Sequence, residues 1–526
     1  MPRKYLRQID SKLNRPKLSD HKKALFILHD QLNLSVWPDW VQKEKPLLIF
    51  MESRQKGVEI PHHKIKAVYV LSSMRHFALE CAEKGYPVLY HSTNGHFDDG
   101  FTELLSDFDG KLWYMTPSEW DTRERLKKVA EQFPDKVNEI ANSFFLADAE
   151  QWKEKIAPGY RMEYFYREMR KETGYLMNGN TPEGGEWNYD DQNRESLPKG
   201  HTIPKIKTFQ PDEITSEVME MVEEYFPKSF GELQSFQYAV NREQALELLD
   251  QFIEERLDQF GPYEDALKTG DHKLFHSQLS IYMNNGLLLP REVCEKALDA
   301  YEKGNARLNS VEGFIRQIIG WREYIRIYYE AMMPEVRDAN HFNFKNQLPE
   351  MYWTGKTKLK CMEESLRPVI EEAYSHHIQR LMILSNFSNL TETDPRELNK
   401  WFWIAYADAY EWVELPNVLG MSTFADGGVL ASKPYVSGGN YINKMSDYCK
   451  NCEYSITQKT GERACPFNYL YWNFVDKQRD TFNSSGRVSF MVNMFDKKKS
   501  EEEKKAIRES SETFLNNLKR MGRKSD

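Results

Sequence analysis

Four cysteines in this sequence have the spacing of a metal site. Cys449 and Cys452 form a Cys-x-x-Cys pair, Cys465 follows in the same segment, and Cys361 lies far upstream. Thiolates in such a set hold either a tetrahedral zinc ion or an iron–sulfur cluster, and the spacing allows both. With either metal, the site would tie the segment after residue 441 to an earlier helix.

The overall composition excludes several classes of protein. The chain has 526 residues, enough for two or three domains, and its net charge of −9 argues against indiscriminate nucleic-acid binding, although it allows a local basic groove. No apolar run approaches the ~18–20 residues of a membrane-spanning helix, and the polar N-terminus lacks the apolar core of a signal peptide. Six cysteines are too few for a disulfide scaffold. We therefore expect a cytoplasmic protein with no membrane partner.

Residues 24–145 alternate between short apolar runs and helical patterns. The runs predict buried strands at 24–28, 47–51, 87–90 and 111–115, and helices are predicted at 62–84 and 119–133. This alternation predicts a parallel sheet, whose ligands bind beyond the carboxyl ends of the strands. Asp30, Gln31 and Leu32 follow the first strand, and Glu52 follows the second. Carboxylates there more often cap helices or face solvent, and the sequence lacks the GxGxxG motif of dinucleotide-binding proteins.

A Gly- and Pro-rich stretch at 179–205 separates this region from a helical one. Within it, Asp190, Asp191 and Arg194 could contact a ligand or metal, although solvation is the commoner role. Helical patterns follow at 241–259, 291–301, 311–332, 363–386 and 394–414, and charge blocks predict an exposed helix at 497–519. The predicted fold is an N-terminal Rossmann-like α/β domain (residues 1–145), a connector with a long loop (146–240) and an all-helical domain (241–526).

Three helical segments carry residues that suit cofactor binding or acid–base chemistry. The sequence HSQLS at 276–280 places hydroxyls and amides near a helix start, where phosphates bind, although such a cluster is usually only a cap. Glu312, Arg316 and Gln317 share one helix, a pattern equally typical of intrahelical ion pairs. His376 and His377 cannot face the same way, and a lone histidine is more often a packing residue than a general acid.

Taken together, these segments resemble the photolyase and cryptochrome family over essentially the whole chain. HSQLS is similar to the family's Thr-Ser-x-Leu-Ser phosphate loop, with His276 in place of the first threonine. RQIIGWRE at 316–323 looks like its Arg-x-x-x-x-Trp-Arg-Glu helix. The four cysteines, with DQL, PHHK and SMRHF in the N-terminal part, resemble the iron–sulfur branch of bacterial cryptochromes and prokaryotic (6-4) photolyases.

The resemblance implies three cofactors, and it favours iron–sulfur over zinc where the spacing alone does not. A [4Fe-4S] cluster is expected on Cys361, Cys449, Cys452 and Cys465. FAD is expected at Ser277, Leu279, Ser280, Glu312, Arg316, Gln317, Arg380, Asp408 and Glu414. A 6,7-dimethyl-8-ribityllumazine antenna is expected at Asp30, Gln31, Leu32 and Glu52. A divalent cation such as Mg²⁺ is expected at Asp190, Asp265 and Glu414.

Roles in catalysis follow from the same resemblance. His377 corresponds to the active-site histidine of (6-4) photolyases, and Tyr435 is a candidate lesion contact. Trp401 would be the first electron relay, and Trp353 would be its surface member. Phe402 stands where some relatives have tyrosine, so the intermediate relay is expected to differ in this chain.

The implied function is light-driven repair of (6-4) pyrimidine–pyrimidone lesions in UV-damaged DNA by a monomeric enzyme. An electron from reduced FAD and a proton from His377 would split the lesion. A blue-light photoreceptor would keep the flavin and tryptophans, but it would not need the histidine, and neither would a cyclobutane-dimer photolyase. A primase-like DNA-processing protein is a further alternative, which retention of flavin after purification would exclude.

Overall fold

The apolar runs of the N-terminal part form a five-stranded parallel sheet in the computed structural model, which describes residues 3–14 and 16–521. The strands are β1 (Lys23–Ile27), β2 (Leu47–Ser53), β3 (Val88–Thr93), β4 (Lys111–Met115) and β5 (Val137–Ile140). The first four confirm the prediction. The fifth was not predicted, because β5 is a polar edge strand in which Val137 alone is buried.

The order of the strands places a crevice beside β1. The order is β3-β2-β1-β4-β5, with Ala24 opposite Leu47 of β2 and Leu25 opposite Trp113 of β4. From β1 the chain continues to β2 and β3 on one side, and it then crosses to β4 on the other side of β1. Ligands of such sheets bind at the carboxyl ends of the strands, where the strand order reverses. The helices of the N-terminal part are Arg7–Lys12, Asp39–Glu44, Arg54–Glu59, Lys64–Glu83, Phe97–Ser106 and Trp120–Gln132.

The region predicted as a connector contains regular elements on both sides of its loop. They are the helices Ala149–Trp152, Met162–Thr173 and Glu213–Tyr225 and an antiparallel strand pair, Met177–Asn178 with Thr181–Pro182. The helix Glu213–Tyr225 packs against Lys64–Glu83, so the segment that follows the loop returns to the sheet.

The rest of the chain is mostly helical, as predicted. Its α-helices are Arg242–Glu255, Leu257–Phe260, Ser280–Asn284, Pro290–Glu302, Leu308–Ile315, Glu323–Met332, Met351–Thr354, Lys360–Glu372, Asn386–Leu390, Pro395–Ala405, Glu411–Leu415, Gly439–Met445, Pro466–Lys477, Arg479–Ser484, Phe490–Lys498 and Glu501–Met521. The last helix is not exposed on every side, since Ile507 is buried and Phe514 packs on Phe387 and Tyr469. No helix among the described residues is long and apolar enough to cross a membrane.

Three π-helical segments interrupt or extend the helices around one region. They are Arg316–Arg322, Gln379–Ser385 and Pro416–Ser422, each directly continuing an α-helix or leading into one. A π-helix adds one residue per turn and redirects the side chains that follow, and such segments occur often at functional sites. All three contribute residues to the cavity described below.

One apolar core joins the sheet to the helical part. It runs without interruption from Leu25 and Leu48 in the strands to Trp412 and Leu430 in the helices. A second core, confined mainly to residues after 340, contains Cys361 and Cys465. The two parts of the chain are therefore packed on one another, and cavities form where they meet.

Candidate cofactor-binding and active site

A polar group lies at the centre of the helical cavity, which we define as the two adjoining spaces that share Ser280, Asn284, His377, Arg380 and Asp408. The Arg380 guanidinium donates to both oxygens of Asp408, at 3.0 and 3.1 Å, and the Ser280 hydroxyl donates to Asp408 at 2.8 Å. Asn284 donates to the Asp408 carbonyl at 2.9 Å. A bidentate charge pair with two further donors is rigid, so it fixes this wall of the cavity.

The predicted phosphate loop forms the opening to one side of this cavity. Ser277 and Ser280 line it, with Gln278 between them in the left-handed backbone region at φ 58°. Leu279 contributes no side chain to the cavity, because it is fully buried in the apolar core and its N–H donates to the Ser277 hydroxyl at 3.3 Å. The turn therefore exposes the hydroxyl groups while burying the leucine.

The other predicted FAD residues divide between the cavity and its support. Gln317 lines the cavity, and so does Glu414, whose pKa is raised well above its usual value by burial. Glu312 is fully buried and accepts hydrogen bonds from Tyr166 at 2.8 Å and from Arg316 at 3.2 Å. Glu312 and Arg316 therefore brace the helix instead of lining the cavity.

The two adjacent histidines lie at the break that follows the helix Lys360–Glu372, and their side chains have different positions. His377 lines the helical cavity with part of its side chain exposed to solvent. The surrounding protein atoms and the nearby Arg380 lower its pKa below the usual value. His376 stacks on His276 with ring centroids 4.4 Å apart and planes 15° apart, and its two ring nitrogens have no hydrogen-bond partner within the described part of the chain. His377 is therefore the histidine that a ligand in the cavity would meet.

The predicted divalent-cation residues lie in two places. Asp190 pairs with Arg316 at 2.5 Å, and Asp265 accepts from Tyr441 at 3.2 Å. Glu414 lies instead in the helical cavity near Arg380. Over residues 3–14 and 16–521, no group of three His, Cys, Asp or Glu side chains is arranged to hold a metal ion. The three carboxylates thus do not form the predicted site in this conformation.

The four predicted cluster ligands come from two segments that fold together. Cys361 begins the helix Lys360–Glu372 and packs in the same core as Cys465, with Cys449 against it. Burial raises the pKa of Cys361, and the nearby Cys465, Cys449 and Cys452 raise it further. The fold therefore brings the distant thiol near the three clustered ones. Among the described residues no three of these thiols are arranged to hold a metal ion, so the cluster stays a prediction.

The predicted electron-relay residues lie between the cavity and the surface. Trp401 is fully buried, and its indole N–H donates to the Tyr352 carbonyl at 3.0 Å. Phe402 lines the helical cavity, and its ring lies 5.0 Å from that of Trp401. Trp353 follows Tyr352 and is 37% exposed. Trp401 is thus separated from the cavity by a phenylalanine ring.

Tyr435 lies in a cationic part of the surface. Its ring is 5.6 Å from the Lys433 ammonium, and Arg487, Asp190 and Arg194 act on it electrostatically, with Arg194 paired to Asp190 at 3.3 Å. Burial and the same two arginines lower the pKa of Lys433, as expected where several positive charges are close together. This local cationic group exists although the whole chain carries a net charge of −9.

A second cavity lies at the carboxyl ends of β1 and β2, and we call it the sheet-end cavity. Its wall includes His29, Glu52, Lys66 and Tyr410, so it is closed by residues of both halves of the chain. The Glu52 carboxylate is paired there with Arg75 at 2.8 Å. Of the four predicted antenna residues, only Glu52 lines this cavity.

The other three predicted antenna residues are buried after β1. The Gln31 side chain accepts from Leu28 N at 3.5 Å and donates to the Met115 carbonyl at 3.3 Å. Leu32 is fully buried, and Asp30 is 5% exposed. None of the three lines the sheet-end cavity, so their contact with an antenna stays a prediction.

Comparisons with known proteins identify the family of this chain. A family model described as deoxyribodipyrimidine photo-lyase-related protein matches residues 25–238. A (6-4) photolyase of Agrobacterium fabrum is 44% identical over 474 residues, which cover 88% of this chain and 94% of that protein. This chain belongs to the photolyase and cryptochrome family. Within the family, it lies on the branch of the Agrobacterium protein.

Solved structures of photolyases and cryptochromes show the same fold. A bacterial class III photolyase from Agrobacterium tumefaciens superposes with a TM-score of 0.57 at 15% identity, covering 96% of this chain and 99% of that one. The cryptochrome of Synechocystis gives a TM-score of 0.53 at 14% identity, covering 81% of this chain and 88% of that one. At such identities the comparison concerns the fold alone.

Membership of the photolyase family implies FAD, and the helical cavity fits it. The cavity combines a polar wall, formed by Arg380 and Asp408, with ring and aliphatic surfaces such as Phe402. His276 also lines it with a buried ring nitrogen that has no partner among the described residues. The sequence did not indicate Asn284 as a cavity residue, because nothing in its spacing distinguishes it from a turn residue.

Buried histidines should make this protein sensitive to acid. Burial lowers the pKa of His276 to about 3 and of His63 to about 4, and it lowers those of His62 and His376 well below the usual value. The unfolded chain takes up these protons near pH 6.5, whereas the folded chain does so only at lower pH. We therefore expect full stability above pH 6.5 and a progressive loss as pH falls toward 4.

Urea unfolding at pH 7.5, 6.0 and 5.0 measures this loss. His376→Asn should reduce the dependence of the free energy of unfolding on pH, because it removes one of the neutral histidines. Exposed His341, replaced in the same way, serves as the matched control and should leave the dependence unchanged. Equal pH dependence in wild type and His376→Asn would contradict the prediction.

Proposed function

We propose that this protein is a light-dependent (6-4) photolyase that repairs (6-4) pyrimidine–pyrimidone photoproducts in UV-damaged DNA. The observation that carries the proposal is His377 on the wall of the helical cavity, beside the Arg380–Asp408 pair, in a chain 44% identical to a (6-4) photolyase. Splitting a (6-4) lesion requires a proton as well as an electron, and a histidine is suited to hold that proton.

The residues of the helical cavity would hold FAD. Reduced FAD, once excited by light, would supply the electron that starts lesion splitting. The hydroxyls of Ser277 and Ser280 suit the phosphates, while the Arg380–Asp408 pair and Glu414 suit polar groups of the ring system. The buried ring of Phe402 would exclude water from one side of that ring system.

The charge on His377 depends on what enters the cavity. With its pKa below the usual value, the imidazole is neutral at pH 7 when the cavity contains only protein groups. Negative charge near the ring favours its protonated form, and DNA phosphates would bring such charge. Substrate binding would therefore load His377 with the proton that it then donates to the lesion.

The cationic surface around Tyr435 would bind the DNA backbone. Lys433, Arg487 and Arg194 can neutralise phosphates, whereas the overall negative charge disfavours binding elsewhere on the protein. A (6-4) lesion has lost its normal pairing, so turning it out of the duplex costs less than turning out an intact base. Tyr435 would then contact the extruded lesion.

Two further groups complete the proposal. A [4Fe-4S] cluster on Cys361, Cys449, Cys452 and Cys465 is supported by the convergence of the four thiols. A lumazine antenna is supported by the sheet-end cavity, whose wall combines aromatic rings with buried charges. The cluster would be structural, since it would link a helix to a segment about ninety residues further along the chain.

Blue-light repair by the reduced protein tests the function. Two oligonucleotides are compared, one carrying a (6-4) lesion and one a cyclobutane dimer, each with a dark control. Loss of the (6-4) lesion alone, and only in light, is the expected result. Loss of the dimer alone would show a different photolyase activity, and loss of neither by a flavin-loaded, photoreducible protein would favour a photoreceptor.

A further inference from the structure

Three aromatic rings with nearly parallel planes line the sheet-end cavity, which we also call the slot. Phe97, His29 and Tyr410 stack along one side, with ring planes within 15° of parallel and centroids 6.4 and 5.7 Å apart. Met51 and Met74 contribute apolar surface to the lining. Parallel aromatic and sulfur-containing surfaces of this kind favour a planar aromatic ligand.

The charged residues of the slot are paired with one exception. Lys56 pairs with Glu119 at 2.5 Å, and Glu52 pairs with Arg75 at 2.8 Å. Lys66 also lines the slot, but no carboxylate among the described residues lies within ion-pair distance of its ammonium.

Neutral acceptors hold the Lys66 ammonium instead. It donates to the Ala409 carbonyl at 2.5 Å, to the Trp403 carbonyl at 2.9 Å and to the His62 ring nitrogen at 3.2 Å. The ammonium is buried without a direct ion-pair partner, while the carboxylates of Glu119, Glu414 and Asp408 act on it from a greater distance. A ligand with negative or electron-rich atoms would add a direct partner for its charge. Its neighbour Lys64 is a useful contrast, because it pairs with Glu223 at 2.7 Å.

We propose that Lys66 binds the electron-rich edge of a flat heteroaromatic ligand in the sheet-end cavity and selects ligands that carry such an edge. This inference rests on the proposed function only in naming the probe, 6,7-dimethyl-8-ribityllumazine, a planar ring system with carbonyl and nitrogen acceptors. The stack formed by His29 and Tyr410 would hold the ring plane, and Lys66 would fix its orientation.

Lys66 is also the slot residue most suited to titrate near neutrality. Burial lowers its pKa to about 7. The pKa of His29 is lowered by burial, and so is that of His62, so both rings are neutral above pH 6.5. Burial would raise the pKa of Glu119, but the facing Lys56 outweighs this and lowers it to about 2, so that pair stays charged.

Three further groups act on this part of the cavity from outside its lining. Asp408 and Glu414 act on Lys66 from the helical cavity and favour its charged form. The pKa of Asp30 is raised by burial beside His29. A change in ligand affinity with pH could therefore arise from Lys66 or from these carboxyl groups, and only removal of the ammonium separates the two sources.

Lys66→Gln makes this separation in the full-length, flavin-containing protein. The glutamine amide can still donate to a backbone carbonyl, but it carries no charge. Added 6,7-dimethyl-8-ribityllumazine is titrated at pH 6.0, 7.0 and 8.5, and binding is followed by its absorption and fluorescence. Wild type should lose about tenfold in affinity over this range, because Lys66 loses its proton. Lys66→Gln should bind about tenfold more weakly than wild type at pH 6.0 and should show little pH dependence.

Lys64→Gln is the matched control, with the same substitution two residues earlier in the same helix, and it should bind like wild type. Melting temperature and flavin content show whether Lys66→Gln is folded, and Lys66→Arg, which keeps the charge, provides a second folded variant that should retain binding at pH 8.5. Wild-type affinity and pH dependence in Lys66→Gln would overturn the proposal, as would absence of lumazine binding by wild type. Neither outcome bears on lesion repair, which the oligonucleotide assay measures separately.

Discussion

Replacing His377 by alanine should reduce (6-4) repair by at least about 100-fold while flavin content stays near that of wild type. General acid catalysis by a positioned side chain typically contributes 10²–10⁴-fold, and His377 lines both spaces of the helical cavity, whereas His276 lines only one of them. Its ring makes no hydrogen bond that supports the Arg380–Asp408 pair, so its removal should leave that wall intact. The measurement is the rate of lesion loss under saturating light by the reduced protein.

The dependence of this rate on pH separates a proton donor from a packing residue. The pKa of His377 is lowered by the surrounding protein atoms, so the rate in wild type should rise as pH falls from 8 to 6. His377→Ala should lose this rise together with the activity, and His377→Asn should behave similarly because an amide cannot supply the proton. His341→Ala, which changes an exposed histidine, is the control. Repair by His377→Ala at more than a third of the wild-type rate would contradict the assignment.

The N-terminal fold was predictable because its short apolar runs in the sequence are also its buried strands in the structure. The runs at β1, β2 and β4 are buried on both faces, so apolar content alone marks them as strands. The edge strand β5 contains polar residues and only one buried residue, so its sequence has no apolar run that would mark it as a strand. Beyond β1, the position of Asp30 in the sequence likewise did not show that its side chain is buried.

Site residues were predictable where they belong to a recognisable sequence motif. They were not predictable where a distant part of the chain contributes them to the cavity. Ser277 and Gln317 line the cavity as expected, whereas Lys66 and Tyr410 meet only because helices after residue 241 pack on the sheet. The three π-helical segments had no signal in the sequence, since an extra residue per turn changes no composition and only local spacing. That extra residue alters which side chains of Gln379–Ser385 face the cavity.

Replacing Cys452 by alanine should give protein that is insoluble or retains little flavin. The proposed cluster would link Cys452 and its neighbours to Cys361 in the second core, which also contains the buried Trp401 and the cavity-lining Phe402. Binding energy of a structural metal site is folding energy, so loss of one of four ligands should destabilise this core strongly. Soluble yield, iron content and the ratio of flavin absorption to protein absorption measure the effect.

Cys294→Ala is the matched control for Cys452→Ala. Cys294 is fully buried in the other core, away from the four converging thiols, and it has the same side-chain chemistry. Its replacement removes one buried sulfur and should lower stability modestly without loss of iron or flavin. Chelation of iron from wild type should lower solubility and flavin content to the levels of Cys452→Ala. The same treatment should lower them equally in wild type and in Cys294→Ala. A soluble Cys452→Ala protein with full flavin would show that the thiols do not hold the core together, and the cluster would then need a role other than a structural one.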